Sequence, residues 1–284
     1  MQQFTLCAFA DEASPNLDGQ LTALQRNGIT HLEIRGVDGK NVTALTETEA
    51  KQVKSRLDAA GINVWSVGSP IGKIRLDEDF TAHLELLKHT LELGNILGAH
   101  VLRMFSFYPA EGKTQTDGKN QVMDQLGQML EVAKDSGITL CHENEKGIYG
   151  DIACRCAEIH ASFPELPAVF DPANFIQSGQ DPLAAWQLLD KYVRYFHIKD
   201  ALADGNVVPA GCGIGNLPVL VKNYAGLGGK VLTVEPHLQV FDGLAGLERE
   251  GEQSGIGKAY SYPTADAAFD AAADALKKIL ADME

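Results

Sequence analysis

Four side chains able to grip a hard metal ion stand in one order along the second half of this 284-residue chain. They are Glu143 in ITLCHENEKG, Asp171 in PAVFDPANF, His197 in VRYFHIKDA and Glu235 in KVLTVEPHL. Each closes a short apolar run and precedes a loop or helix. Three carboxylates and one imidazole brought to a point supply oxygen donors and one nitrogen. Such a set suits Mn²⁺ or Mg²⁺ better than a thiolate-seeking metal, with Co²⁺ or Zn²⁺ also able to use it.

The elements that would carry these groups repeat. QRNGITHLEIRG, DAAGINVWSVGS, NILGAHVLRMFS, KDSGITLCHEN and, less cleanly, GLGGKVLTVEP each read as a helix end, a glycine and an apolar strand. Gly28, Gly61, Gly98, Gly137 and Gly229 fall where a helix would stop in the left-handed conformation. Steps of about 33 to 39 residues match successive βα units. Strands are expected near 4–9, 30–36, 62–67, 100–106, 138–143, 167–171, 193–198 and 230–235. Eight parallel strands with helices between them make a (β/α)₈ TIM barrel, whose chemistry sits at the C-terminal strand ends. A solenoid shares the period but lacks its signature here. Helices are expected over 47–60, with Thr46 and Glu49 as a capping box, over 79–97, and over 264–281 to close the ring. No linker divides the chain, so residues 1–284 are read as one domain. The irregular stretch 237–262 is expected to form a lid or the contact of a homo-oligomer.

Composition bounds the partners. The net charge of −14 opposes a polyanionic partner, so no nucleic acid is expected. No apolar run reaches about 18 residues, and the N-terminus lacks the pattern of a secretory signal, so no membrane partner is expected either. Five scattered cysteines (Cys7, Cys141, Cys154, Cys156 and Cys212) form no disulfide framework or zinc-knuckle spacing. That usage places the protein in the reducing cytoplasm.

From FADEAS at the first strand end to TVEP at the eighth, the chain resembles the xylose isomerase-like TIM-barrel superfamily of sugar isomerases, epimerases and related lyases. The specific part is the order Glu, Asp, His, Glu on strands five to eight. The resemblance implies that Glu143, Asp171, His197 and Glu235 hold a divalent ion. It also implies that Glu143 and Glu235 accept and return protons beside a substrate carbonyl, through an enediolate. Two bases on opposite faces would epimerise; one base would isomerise.

Softer candidates surround them. Lys199 shares a strand face with His197 and is expected inside the mouth, on an enediolate or a substrate carboxylate, or else in a surface ion pair. Asn174, Arg103 and His237 are assigned to substrate. Glu33 and Arg35 point inward near the second strand end, as a mutual ion pair or as substrate contacts. Lys146 and Tyr149 offer polar groups after strand five. Gly211, Gly213 and Gly215 after strand seven could open backbone N–H groups to a phosphate.

The resemblance implies a metal-dependent isomerase or epimerase of a small sugar or keto-polyol. The alternative is a dehydratase, which would use the same base and expel a β-hydroxyl. An abasic-site endonuclease would need further histidines that SVGSP, RMFSF and Asn174 do not supply. A non-catalytic sugar sensor would bind no metal.

Overall fold

The computed structural model describes residues 4–241 and 255–283. Eight parallel strands close a barrel: β1 (Thr5–Ala8), β2 (His31–Ile34), β3 (Asn63–Gly68), β4 (Val101–Met104), β5 (Thr139–Glu143), β6 (Ala168–Phe170), β7 (Val193–Ile198) and β8 (Val231–Val234). Each pairs with its sequence neighbours, and β1 closes on β8 with Thr5 beside Val231 and Cys7 beside Thr233. All eight lie where the apolar runs place them, and the result is a single-domain (β/α)₈ TIM barrel.

Nine α-helices are found among the described residues: α1 (Leu17–Arg26), α2 (Glu47–Ala59), α3 (Phe80–Leu97), α4 (Lys119–Ala133), α5 (Ala153–Ser162), α6 (Pro172–Gln177), α7 (Pro182–Leu189), α8 (Leu217–Gly226) and α9 (Ala265–Ala281). The Thr46–Glu49 capping box opens α2, an arrangement that stabilises a helix by about 1 kcal/mol. On α3, Leu87, Leu91, Leu93 and Leu97 are buried, whereas Phe80, Leu84 and Ile96 are partly buried against the same core. Burying one such leucine contributes about 1.5–3 kcal/mol. Helix α9 is tied to α1 by Arg26, which pairs with Asp266 and Asp270. Four of the five expected helix-stopping glycines do have positive φ; at the last, Gly228 takes that conformation instead of Gly229.

The strands are two-sided by design of the pleat. Leu102, Leu140, Phe170, Phe196 and Leu232 face outward into the layer shared with the helices. Cys7, Val101, Cys141, Val169, Tyr195 and Val231 face inward and plug the lower barrel, with Trp65 partly buried against them. Two residues further along the same inward faces come Arg103, Glu143, Asp171, His197 and Thr233. Period-two alternation thus turns an apolar floor into a charged mouth within one step. Two short hairpins lie above the strand ends: Gly36–Val37 with Lys40–Asn41, and Asp200–Ala201 with Val207–Val208. Of the irregular stretch at 237–262, residues 242–254 lie outside the described residues.

Candidate metal centre

Glu143 ends β5, Asp171 follows β6, His197 is the penultimate residue of β7 and Glu235 follows β8. One ligand atom from each lies within 4.8 Å of the others, and all four residues are buried. Asp171 also starts α6: its Oδ1 accepts from the Asn174 backbone N–H at 2.9 Å, and Pro172 occupies the first turn. That cap locks the side chain and leaves Oδ2 facing the cluster. Oδ2 is buried and accepts no aligned hydrogen bond, although Lys199 Nζ lies 2.8 Å away as an ion-pair partner. Three carboxylates and an imidazole converging from four neighbouring strand ends fit a divalent ion held by Glu143, Asp171, His197 and Glu235. Cys7 and Cys141 sit in the barrel floor, and all five cysteines are free thiols.

Cations interleave with these carboxylates. Arg103 Nη1 donates to Glu143 Oε2 at 2.8 Å, and His197 Nδ1 is 2.9 Å from Glu143 Oε1. Lys199 Nζ donates to Glu235 Oε2 at 3.1 Å. Burial works to raise the Glu143 carboxyl, but His197 and Arg103 outweigh it and hold it down at about 2. Glu235 is also held well below its usual range, where Lys199, His237 and His197 overcome burial. Asp171 goes the other way, to about 7: burial, then repulsion from Glu235 and Glu143, defeat the attraction of Lys199. Burial disfavours charge on His197 and Lys199, yet the surrounding carboxylates keep both well above their ordinary values. The pocket is therefore a lattice in which carboxylates and cations alternate.

The softer candidates sort by geometry. Arg103 and Lys199 reach the cluster, each at least nine-tenths buried. His237 has a φ of 44°, and its Nδ1 lies 3.1 Å from Glu12 Oε1 and 3.6 Å from Glu235 Oε1. Asn174 is turned to the protein, donating to the Asn144 carbonyl at 2.9 Å and to Glu143 Oε1 at 3.3 Å. Tyr149 is buried and donates to Glu158 at 2.6 Å, away from the mouth, because the loop after β5 folds down onto α5.

Glu33 and Arg35 form no mutual pair. Arg35 binds Asp11 through Nε at 2.9 Å, Glu12 at 2.9 Å and Glu235 at 3.4 Å, with its guanidinium over the Phe9 ring. Asp11 and Glu12 carry no reading in the sequence, although they follow the end of β1 as Glu235 follows the end of β8. The strand-end rule applied to the first strand would have found them.

The glycine loop after β7 is filled from within. Asp200 accepts from Gly211 at 2.9 Å, Gly213 at 3.0 Å, Gly215 at 2.9 Å and its neighbour Ala201 at 2.9 Å. The N–H groups that could have cradled a phosphate already bind a carboxylate. A Cβ at Gly213 would run into the Ala201 carbonyl and Asp200, which explains the glycine there.

The model of the xylose isomerase-like TIM barrel family matches residues 21–279. The chain belongs to the xylose isomerase-like TIM barrel family. Solved structures share its architecture across their whole length. The probable 3-DHS dehydratase AsbF involved in petrobactin synthesis from Bacillus anthracis aligns with a TM-score of 0.72 at 14% identity, covering 97% of this chain and 98% of that one. The IOLI protein with a bound zinc atom gives 0.73 at 16% identity, covering 99% of both chains. D-psicose 3-epimerase from Clostridium cellulolyticum H10, solved with D-tagatose, gives 0.68 at 12% identity and full coverage of both. At such identities these likenesses establish the fold of this family member. No curated protein matches its sequence. No helix among its described residues is long and apolar enough to cross a membrane.

Proposed function

We propose that this protein is a divalent-metal-dependent isomerase or epimerase of a small sugar or keto-polyol. The reading is carried by one observation: Glu143, Asp171, His197 and Glu235 present donor atoms within 4.8 Å of one another at the barrel mouth, beside a buried lysine. These four residues would hold the ion, with Mn²⁺ or Mg²⁺ the best match to three carboxylates. When bound, such an ion polarises a carbonyl and acidifies the neighbouring C–H.

The remaining chemistry belongs to the chain. Glu143 and Glu235 are assigned as the catalytic carboxylates; the cations around them keep both ionised, the form in which a carboxylate can take up a proton. Lys199 Nζ, already held between Asp171 and Glu235, is placed to offset negative charge as an enediolate develops. Arg103 keeps Glu143 in position through Nη1, and we assign its guanidinium to a substrate oxygen beside that carboxylate. His237 borders the same pocket beside Glu235. Asn174 anchors Glu143 from behind. Asp200 satisfies the glycine loop, which favours a substrate without a phosphate at that end.

The test is metal content of the purified protein together with NMR of ketoses and keto-polyols incubated with it in D₂O. About one divalent ion per chain, with metal-dependent deuterium incorporation next to a carbonyl, is expected. Net loss of water from the substrate would identify the lyase instead. Absence of bound metal, with no rescue by Mn²⁺, Mg²⁺, Co²⁺ or Zn²⁺, would sink the enzymatic reading.

A further inference from the structure

Beneath the cluster, on β2, Glu33 is wholly buried inside the barrel. Its hydrogen-bond partners are three hydroxyls and an imidazole rather than a lysine or arginine. Oε1 accepts from Tyr195 Oη at 2.8 Å and Ser66 Oγ at 3.2 Å. Oε2 accepts from Thr233 Oγ1 at 3.0 Å and faces His197 Nε2 at 3.3 Å. The donors come from β3, β7 and β8, so three other strands spend polar side chains on one carboxylate. This layer of a barrel is ordinarily filled by branched aliphatic residues. A carboxylate there is costly to bury, and the cost calls for a purpose.

His197 supplies it. Its two ring nitrogens face opposite ways. Nε2 looks down to Glu33, while Nδ1 looks up to Glu143 Oε1 at 2.9 Å and Glu235 Oε2 at 3.4 Å. The ring is also walled by the edge contacts of Phe9 and Tyr195, with centroids 5.1 Å and 5.5 Å away. An imidazole can give Nδ1 to a cation only with its proton on Nε2, and a carboxylate bonded to that N–H holds both tautomer and ring plane.

We propose that Glu33 is the positioning residue of the centre: it keeps the proton on His197 Nε2 and so presents Nδ1 to the ion. This rests on the metal reading above. Glu33 touches neither substrate nor ion; Tyr195, Ser66 and Thr233 exist in this layer to hold it.

The test compares wild type with Glu33→Gln, and with Glu33→Asp should the glutamine variant not fold. Mn²⁺ affinity is measured by electron paramagnetic resonance of the free ion. The His197 tautomer is read in the Zn²⁺-loaded protein from long-range ¹H–¹⁵N correlations. Expected are Mn²⁺ binding weakened about 10- to 100-fold and loss of the uniform Nε2–H signature. Ile159→Val, which thins the core under α5 and touches neither Glu33 nor its donors, should lower the melting temperature yet leave Mn²⁺ affinity within about twofold. Unchanged affinity and tautomer in a folded Glu33 variant overturn the assignment while leaving the metal centre intact. Equal weakening by Ile159→Val also overturns it, because Glu33 would then act through stability alone. Wild-type protein that binds neither Mn²⁺ nor Zn²⁺ overturns both readings, and is told apart by the control.

Discussion

Lys199 Nζ lies 2.8 Å from Asp171 Oδ2, and the two sit on adjacent strand ends with almost no solvent contact. A lysine held so tightly against a carboxylate cannot be a generic surface charge. Its ammonium also lies 3.1 Å from Glu235 Oε2 and so bridges the ends of two further strands. Lys199→Met should lower kcat by about 10²- to 10³-fold while changing Mn²⁺ affinity much less. Lys199→Arg should not restore it, since a planar fork does not replace a point charge in a closed pocket. Steady-state kinetics beside a Mn²⁺ titration check this.

Glu143→Gln and Glu235→Gln should each abolish proton exchange between substrate and solvent. The amide keeps the size of the side chain but neither accepts a proton nor binds a hard cation well. Near wild-type exchange in either variant would remove that residue from catalysis.

Arg103→Lys preserves a positive charge for Glu143 but removes the planar guanidinium fork. KM should rise about tenfold or more, with a smaller fall in kcat. A change in kcat alone would mean that Arg103 serves only Glu143.

Removal of the ion should be visible in stability. A ligand at about 100 times its dissociation constant adds about 2.7 kcal/mol to the folded state, or roughly 5 °C in midpoint for a chain of this size. Chelated protein is expected to melt lower by that order and to recover on adding Mn²⁺. A calorimetric scan without any metal-dependent shift would contradict the centre.

His83 on α3 accepts the Gly72 N–H at Nε2, 2.8 Å away, and thereby ties down the loop that follows β3. Burial lowers the His83 pKa to about 4, so the folded state prefers it neutral. The folded value lies below the unfolded one, near 6.5. The stabilisation is therefore full above about pH 6.5 and is lost as pH falls toward 4. The stability gap between wild type and His83→Gln should shrink by about 1 kcal/mol per pH unit across that window. Denaturant titrations at stepped pH measure the gap.

Asp200→Ala should destabilise the loop after β7, because three glycine N–H groups lose their acceptor. Inorganic phosphate should not compete with substrate in wild type. Competitive inhibition by millimolar phosphate would reopen that loop as an anion site.

Pattern and order along the chain are enough for the barrel, its eight strands and the placing of four donor side chains at strand ends. Those are local facts. Apolar runs after glycine stops define strands, and period two decides which side chains face inward, so Glu143, Asp171, His197, Lys199 and Glu235 could be placed from order alone. Only the tertiary structure decided who touches whom across the barrel. Glu33 and His197 are 164 residues apart, and Arg35 and Glu235 are 200 apart. Whether Arg35 pairs with Glu33 or with Asp11 and Glu12 depends on ring curvature and strand stagger, which no local pattern encodes. The same holds for the glycine loop. GCGIG reads as an open anion cradle until folding delivers Asp200, 11 to 15 residues upstream, into its centre. Charges buried in a closed ring choose partners by three-dimensional proximity, and that proximity exists only once the first strand meets the last.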